Sequence, residues 1–309
     1  MFTKPKPKLT TQNIYELRQI TIWGVGLIGG SLGLSLKKNG FQGNRVGLGR
    51  NIGRLEKALQ HGAVDIVTTD LTEAIQDSEL IVLCPPVTLV PKFMSDIIGV
   101  LGKQKKRVVV TDVGSTKSVI VDTVEKQINH TEANSLFFVG GHPMAGSHET
   151  GVDASQSDLF ENAHCILTPT ENTNSDAVEL VKNLWKFVGS DTHLCSPEDH
   201  DLLIGAASHL PHLAATVLAK TVANVATQDA KALDFTATGF RDSTRIAAGS
   251  AELWSGIFLQ NREILLSHID MLIENIIEFK TLLKKNDTKE MQKLLIEAQK
   301  IVLKLKKTD

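Results

Sequence analysis

Residues 20–29 read Ile20-Thr21-Ile22-Trp23-Gly24-Val25-Gly26-Leu27-Ile28-Gly29. An apolar β-type run enters a G-x-G-x-x-G turn, and a helical pattern follows it as far as Asn39-Gly40. In such a unit the first glycine makes the tight turn and the second lets the backbone approach a pyrophosphate, while the third lets the helix pack on the strand. This order predicts a dinucleotide-binding unit; the alternative is a glycine-rich turn that serves packing alone.

The composition excludes several classes of protein. Of 309 residues, 42% are hydrophobic and 22% are charged, as is ordinary for a globular protein, and the net charge of -2 predicts no nucleic-acid partner. Cys84, Cys165 and Cys195 form no C-x-x-C pair, so neither a disulfide framework nor a metal site is expected. We find no signal peptide and no apolar run of membrane-spanning length, which predicts a cytoplasmic protein without a membrane partner.

The chain changes character near residue 195. Residues 19–195 alternate apolar β-type runs with helical stretches, the pattern of a parallel sheet covered on both faces. Residues 1–18 are expected to be a flexible lead-in, and residues 196–309 carry long helical patterns without strand signals. Apolar residues recur at helical spacing from Ile264 to Ile277, which favours a homodimer through the C-terminal helices over burial within the same chain. We predict an α/β Rossmann-type N-terminal domain followed by an all-α C-terminal dimerisation domain.

The second predicted strand ends without a carboxylate. It reads Val46-Gly47-Leu48-Gly49-Arg50-Asn51, whereas NAD-binding units place an acidic residue about 20 residues past the glycine turn to bind the ribose. The guanidinium of Arg50 could bind a 2′-phosphate instead. The sequence therefore allows NADP or NAD and favours NADP, with Arg54 either assisting or exposed on a helix. The residues expected to contact the cofactor are Gly24, Gly26, Leu27, Ile28, Gly29, Arg50, Cys84 and Pro85.

Two segments that follow predicted strands, residues 111–117 and 140–147, contain groups suited to acid–base chemistry. Sheets of this type bind ligands at the carboxyl ends of their strands. His142 follows two glycines at a strand exit, and a neutral histidine there could take a hydroxyl proton as hydride leaves the same carbon; the alternative is a structural loop histidine. Ser115 either caps the following helix or reaches the substrate hydroxyl.

The helical part contains two further polar clusters. In Ser208-His209-Leu210-Pro211-His212, the two histidines would share a helical face. No further ligands stand at helical spacing, so packing or substrate contacts are favoured over metal binding. Arg241 and Arg245, four residues apart, could bind carboxylates if both are helical; the alternative is a surface ion pair with Asp242 or Glu252.

These segments together resemble the prephenate/arogenate dehydrogenase family of tyrosine biosynthesis, from about Ile20 to the last helix. The resemblance rests on Asp112-Val113-Gly114-Ser115-Thr116-Lys117, Gly140-Gly141-His142-Pro143-Met144-Ala145-Gly146, Ser208-His209-Leu210-Pro211-His212 and Gly239-Phe240-Arg241-Asp242-Ser243-Thr244-Arg245-Ile246-Ala247. It implies NAD(P)-dependent oxidative decarboxylation of prephenate to 4-hydroxyphenylpyruvate.

The resemblance also implies roles for particular residues. His142 would take the proton of the 4-hydroxyl, Ser115 would hold that hydroxyl, and Arg245 would bind a substrate carboxylate. The family often has a hydroxyl residue followed by an acid where this chain has Ser147-His148-Glu149, so the roles of His148 and Glu149 stay open. The remaining residues expected to contact the substrate are His209, His212, Arg241, Ser147 and Trp254.

Other activities are compatible with parts of the pattern. The enzyme could act on arogenate, or on both substrates as a cyclohexadienyl dehydrogenase. A β-hydroxyacid-type dehydrogenase would need a lysine base in the helical part, and no motif surrounds Lys220 or Lys231. A catalytically inactive dinucleotide sensor would have no use for His142, Ser115 and Arg245.

Overall fold

A computed structural model describes residues 13–101, 106–130, 135–147 and 149–305. Of the predicted lead-in, residues 1–12 lie outside this description. Residues 13–18 belong to the folded domain, because Ile14 and Leu17 are only 2% and 3% exposed and pack in its core. A single turn of 3-10 helix, Ile14–Glu16, leads into the first strand.

The N-terminal part forms one eight-stranded sheet in the order β3-β2-β1-β4-β5-β6-β7-β8. Neighbouring strands are parallel except β6 and β7, which are antiparallel. The predicted Rossmann-type sheet is confirmed, with one strand, β3, that the sequence pattern missed. The strands are β1 (Gln19–Trp23), β2 (Asn44–Leu48), β3 (Ile66–Thr68), β4 (Leu80–Leu83), β5 (Val108–Asp112), β6 (Leu136–Pro143), β7 (His164–Thr168) and β8 (Asp191–Leu194).

Helices cover both faces of this sheet, which explains why its central strands are apolar on both sides. In β4, Leu80 and Val82 face one hydrophobic cluster while Ile81 and Leu83 face the other, as the two-residue period of a strand requires. The helices of this part are α1 (Leu27–Lys38), α2 (Ile52–Gln60), α3 (Leu71–Ile75), α4 (Val90–Leu101), α5 (Ser118–Asn129) and α6 (Ser175–Phe187).

The C-terminal part is helical, and in residues 196–305 as described the only β feature is an isolated bridge between Ala226 and Lys231. A π-helical turn, Gly205–His209, joins α7 to α8. The helices are α7 (Pro197–Ile204), α8 (Leu210–Ala223), α9 (Thr238–Thr244), α10 (Ala251–Gln260), α11 (Arg262–Lys285) and α12 (Thr288–Leu305).

The backbone divides into two compact units, Met1–Asn261 and Arg262–Asp309. Helices α7 to α10 therefore belong to the same unit as the sheet. The long helical pattern of residues 196–309 is interrupted at Asn261, between α10 and α11, and the side-chain amide of Asn261 donates to the backbone oxygen of Asp201 at 2.8 Å.

The stretch Pro197–Ala223 is long and apolar enough to cross a membrane by length and composition alone. It carries His200, Asp201 and His209, each at most 1% exposed and hydrogen-bonded within the first unit. The buried share of this apolar window is 28%, and these three polar side chains hold it within the first unit.

Candidate active site

The glycine turn after β1 fits a dinucleotide phosphate. Gly24 has a φ of +103°, and a Cβ there would lie 2.9 Å from the carbonyl oxygen of Cys84. A Cβ at Gly29 would overlap the carbonyl oxygen of Gly24, whereas nothing lies within 4 Å of the corresponding position at Gly26. Helix α1 begins immediately afterwards with no side chain capping its N-terminus. Its free N–H groups and the open space at Gly26 form a cradle for an anion.

The other residues expected to contact the cofactor flank this turn. Leu27 and Ile28 are half-buried in the first turn of α1, and Cys84 and Pro85 are half-buried immediately after β4. Burial raises the pKa of the Cys84 thiol, which therefore stays protonated. Arg50 is exposed after β2.

Arg54 is exposed on α2, and its backbone N–H donates to the side chain of Asn51, which caps that helix. The arrangement leaves the guanidiniums of Arg50 and Arg54 free of ion pairs among the described residues.

A buried ion pair lies at the carboxyl end of β5. Lys117 donates to Asp112, and both side chains are 0% exposed. Asp112 also accepts from the backbone N–H of Gly114 at 2.8 Å and of Gly141 at 3.1 Å. The ammonium of Lys117 and the two N–H groups offset the cost of burying the charge of Asp112. The same hydrogen bonds connect the loop that carries Ser115 to the strand that carries His142. Sequence reasoning quoted these two residues but gave them no role.

His142 lies within β6, not in a loop after it. The strand continues to Pro143 because residues 140–143 pair antiparallel with β7, opposite Ile166 in the case of His142. The preceding glycines are required by close packing: a Cβ at Gly140 would overlap the hydroxyl of Thr168, and one at Gly141 would lie 2.9 Å from the backbone oxygen of Asp112.

His142 is 8% exposed and hydrogen-bonds to a second histidine. Its Nδ1 lies 2.8 Å from Nε2 of His200, and Nδ1 of His200 lies 2.8 Å from Oδ1 of Asp201. Sequence reasoning missed His200 and Asp201. They stand 58 and 59 residues after His142, inside a predicted helical stretch, and no local signal connects them to it.

The surroundings of this chain keep its imidazoles neutral. Burial lowers the pKa of His142 well below the usual 6.5, and the nearby His200, Lys117 and His209 lower it further. Burial also lowers the pKa of His200, against the opposing hydrogen bond to Asp201. Burial alone would raise the pKa of Asp201, but hydrogen bonds from His200, Ser118 and Lys117 outweigh it and lower that pKa.

Ser115 does not cap the helix that follows it. Helix α5 begins at Ser118, and the backbone N–H groups of Lys117 and Ser118 donate to the carboxylate of Asp201 at 2.7 and 2.8 Å. Asp201 therefore takes the capping role that the serine was considered for. Ser115 is half-buried, and its hydroxyl has no hydrogen-bond partner within the described part of the chain.

His209, His212 and Trp254 form one cluster. The rings of His212 and Trp254 stack with centroids 3.5 Å apart, and His209 meets Trp254 edge-on at 6.3 Å. Nε2 of His209 and Nδ1 of His212 are buried without a hydrogen-bond partner among the described residues. Burial lowers the pKa of His209 to about 4. These buried polar atoms are suited to contact a bound polar group.

Arg245 begins the 3-10 turn Arg245–Ala248 that follows α9. The residue after this turn, Gly249, lies against the cluster, since a Cβ there would be 2.7 Å from Nε1 of Trp254. Arg241 is in α9, which ends at Thr244, one residue before Arg245. The two arginines therefore do not share a face of one α-helix. Both arginines are exposed. Neither forms the ion pair considered with Asp242 or Glu252 in the residues that are described.

Ser147 is exposed in the loop after β6, and its hydroxyl accepts from the backbone N–H of Glu149 at 3.1 Å. It forms no hydrogen bond with His142, and His148 lies outside the described residues. No group of three or more His, Cys, Asp or Glu side chains among the described residues could hold a metal ion.

A Rossmann-type sheet with an open glycine turn and a buried neutral histidine at the same edge defines a dinucleotide-dependent oxidoreductase. Residues 32–194 match the model of the prephenate dehydrogenase nucleotide-binding domain, and residues 196–297 match that of the prephenate dehydrogenase dimerization domain. The chain belongs to the prephenate dehydrogenase family.

Known relatives cover most of the chain. It is 36% identical over 276 residues to the prephenate dehydrogenase of Bacillus subtilis, covering 88% of this chain and 72% of the relative. It is 30% identical to the cyclohexadienyl dehydrogenase of Zymomonas mobilis, covering 94% of this chain and 96% of that one. The crystal structure of Aquifex aeolicus prephenate dehydrogenase in complex with hydroxyphenyl propionate and NAD+ superposes with a TM-score of 0.86 at 31% identity, covering 94% of this chain and 99% of that one.

Proposed function

We propose that this protein oxidises prephenate with NAD(P)+ and releases carbon dioxide to give 4-hydroxyphenylpyruvate. The observation that carries the proposal is His142, a buried and neutral imidazole at the edge of the sheet where the glycine turn also lies. Family membership supplies the substrate class. Bound in the glycine cradle, the dinucleotide would accept hydride from the ring carbon that bears the 4-hydroxyl.

The chain's own residues would move one proton and hold the substrate. His142 takes the proton of the 4-hydroxyl at Nε2, since its Nδ1 is engaged by His200. The unpartnered hydroxyl of Ser115 holds the same substrate oxygen. Departure of the ring carboxylate as carbon dioxide then leaves an aromatic ring, which makes the reaction effectively irreversible. A general base of this kind accelerates reactions about 10²- to 10⁴-fold.

The cluster behind Ser115 would bind the rest of the substrate. The unpartnered nitrogens of His209 and His212 and the ring of Trp254 form a polar and aromatic wall. Arg245 stands on the turn that packs against this wall and has no carboxylate partner among the described residues, so its guanidinium is available for a substrate carboxylate. Arg241 and Ser147 would contribute at the edge of the site.

The proposed cofactor preference is NADP over NAD. NAD-binding units have a carboxylate at the end of the second strand, which would repel the 2′-phosphate of NADP. This chain has Gly49 at that position, followed by the exposed guanidinium of Arg50. Arg50→Gln should lower kcat/KM for NADP+ more than for NAD+. An equal effect on both cofactors would contradict this preference.

The proposed assembly is a homodimer formed by the dimerization domain. We propose residues 19–195 as the dinucleotide-binding domain and 196–309 as the substrate and dimerisation domain, and the two family models meet at residues 194 and 196. Light scattering should give twice the mass of one chain. Apolar side chains about half exposed or more on α11 and α12 are Leu266, Met271, Ile273, Ile276, Ile277, Leu283, Leu295, Ile296, Ile301, Val302 and Leu303.

A cytoplasmic location accords with three free cysteines, since a reducing compartment preserves thiols.

Arogenate is the second candidate substrate, because the Zymomonas mobilis relative is a cyclohexadienyl dehydrogenase. The purified protein should be assayed with prephenate and with arogenate, each with NAD+ and NADP+, by the absorbance of the reduced nicotinamide. We expect the highest kcat/KM with prephenate. A higher value with arogenate would reassign the substrate, and no reduction with either would refute the proposed function.

A further inference from the structure

A second imidazole and a carboxylate lie behind His142 and form one hydrogen-bonded chain. The distance from Nδ1 of His142 to Nε2 of His200 is 2.8 Å, and the distance from Nδ1 of His200 to Oδ1 of Asp201 is also 2.8 Å. His200 is 0% exposed and Asp201 is 1% exposed. Water therefore does not compete for these hydrogen bonds. Which group donates and which accepts is decided by the three side chains themselves.

The proton positions in this chain follow from the carboxylate. An ionised carboxylate only accepts, so Nδ1 of His200 carries a proton and donates it to Asp201. In neutral His200 the other nitrogen, Nε2, then holds a lone pair and must accept from Nδ1–H of His142. Neutral His142 is consequently left with its lone pair on Nε2, the nitrogen that is free to act as a base.

We propose that His200 and Asp201 are positioning residues that fix this tautomer of His142. The inference rests on the proposed function, because it gives the free Nε2 its use as the acceptor of the substrate's hydroxyl proton. Neither residue touches the reacting atoms. Both act on the base through the imidazole of His142.

Asp201 is itself held in place through both its carboxylate and its backbone. Oδ1 accepts from the backbone N–H of Lys117 and Oδ2 from that of Ser118, at the N-terminus of α5. The backbone oxygen of Asp201 accepts from the side chain of Asn261. Because α5 follows the loop that carries Ser115, one carboxylate orients the base and anchors the segment that would hold the substrate hydroxyl.

Two amide substitutions of His200 separate this role from packing. Glutamine is long enough to donate to Asp201 and accept from His142, so His200→Gln keeps the polarity of the chain. Asparagine is shorter by one methylene and can reach only Asp201. We expect H200Q to retain kcat within about tenfold of the wild type and H200N to lose roughly 100-fold or more. KM should change little in both variants, and thermal denaturation should show that both are folded.

A measurement on the unaltered protein tests the same inference without turnover. Nitrogen-15 NMR of histidine-labelled protein above neutral pH should show a protonated Nδ1 and an unprotonated Nε2 for His142, assigned by comparison with His142→Asn. A proton on Nε2, or equal kcat for H200Q and H200N, would overturn the inference. Absence of wild-type turnover would instead refute the proposed function, and the NMR result would still decide the tautomer.

Discussion

At the scale of single residues, the neighbours of each side chain in the proposed site decide which of its groups stay available to a ligand. His142 is kept neutral by burial and by the charges around it, and Ser115 keeps its hydroxyl free because Asp201 caps the helix that follows. Arg245 and the unpartnered nitrogens of His209 and His212 complete a set of groups that lack partners within the described residues. Such groups are expected where a polar ligand binds.

Replacement of Arg245 tests the proposed carboxylate contact. Arg245→Gln should raise KM for prephenate roughly 10- to 100-fold, because a hydrogen bond to a charged group contributes about 1.5–3 kcal/mol, and kcat should fall less. Steady-state kinetics measure both parameters. The control is Lys126→Gln on α5, which removes an exposed positive charge whose ion pair among the described residues is with Asp122 on the same helix. Unchanged KM in R245Q would show that the carboxylate is held elsewhere.

At the scale of helices and strands, the unit β1–turn–α1 was readable from the sequence because its signals are local. Glycine spacing, an apolar run and a helical period all fall within about 20 residues. The end of β6 was not readable, since glycines at positions 140 and 141 imitate a turn and only pairing with β7 keeps the strand extended. Strand β3 has only three residues and one exposed end, which leaves no pattern to detect.

Two glycines of the turn should respond differently to the same added methyl group. In Gly26→Ala the new Cβ meets no protein atom within 4 Å, so the melting temperature should stay close to that of the wild type while NAD(P)+ binding weakens strongly. In Gly29→Ala the Cβ overlaps the carbonyl oxygen of Gly24, so the protein should be destabilised. Thermal denaturation and cofactor titration measure the two effects. Undiminished cofactor affinity in G26A would contradict the proposed phosphate site.

Across the whole molecule, the site is assembled from distant parts of the chain, and this limited what sequence could predict. His142, Ser115 and the cofactor turn come from strand ends that the alternating pattern aligns, so they could be identified together. His200 and Asp201 come from the helical part, and only the folded backbone brings them to β6 and to the N-terminus of α5. The sequence does not reveal that the long C-terminal helical pattern is interrupted at Asn261, because its apolar residues keep their helical spacing on both sides.

Four buried histidines should make folding sensitive to acid. His142, His200, His209 and His212 all have a pKa below the usual 6.5 in the folded state, mainly through burial. Below about pH 6.5 the unfolded chain therefore binds more protons than the folded chain. The free energy of unfolding is highest above that pH and decreases as the pH falls toward about 4, the pKa of His209.

Urea denaturation from about pH 7.5 to about pH 5 should accordingly show a falling free energy of unfolding. Asp65 and Asp201 have lowered pKa values and lose their stabilising contribution only below this range, since the unfolded value is 3.8. A free energy of unfolding that stays constant, or rises, as the pH is lowered would contradict the buried, neutral state of these histidines.

The most direct test is the turnover of prephenate by His142→Asn. Asparagine cannot take up the hydroxyl proton, so the rate of nicotinamide reduction at saturating substrate should fall about 10²- to 10⁴-fold while prephenate still binds. Binding is measured by titration of the variant in the presence of the oxidised cofactor. Turnover by H142N within a few-fold of the wild-type rate would show that another group takes the proton.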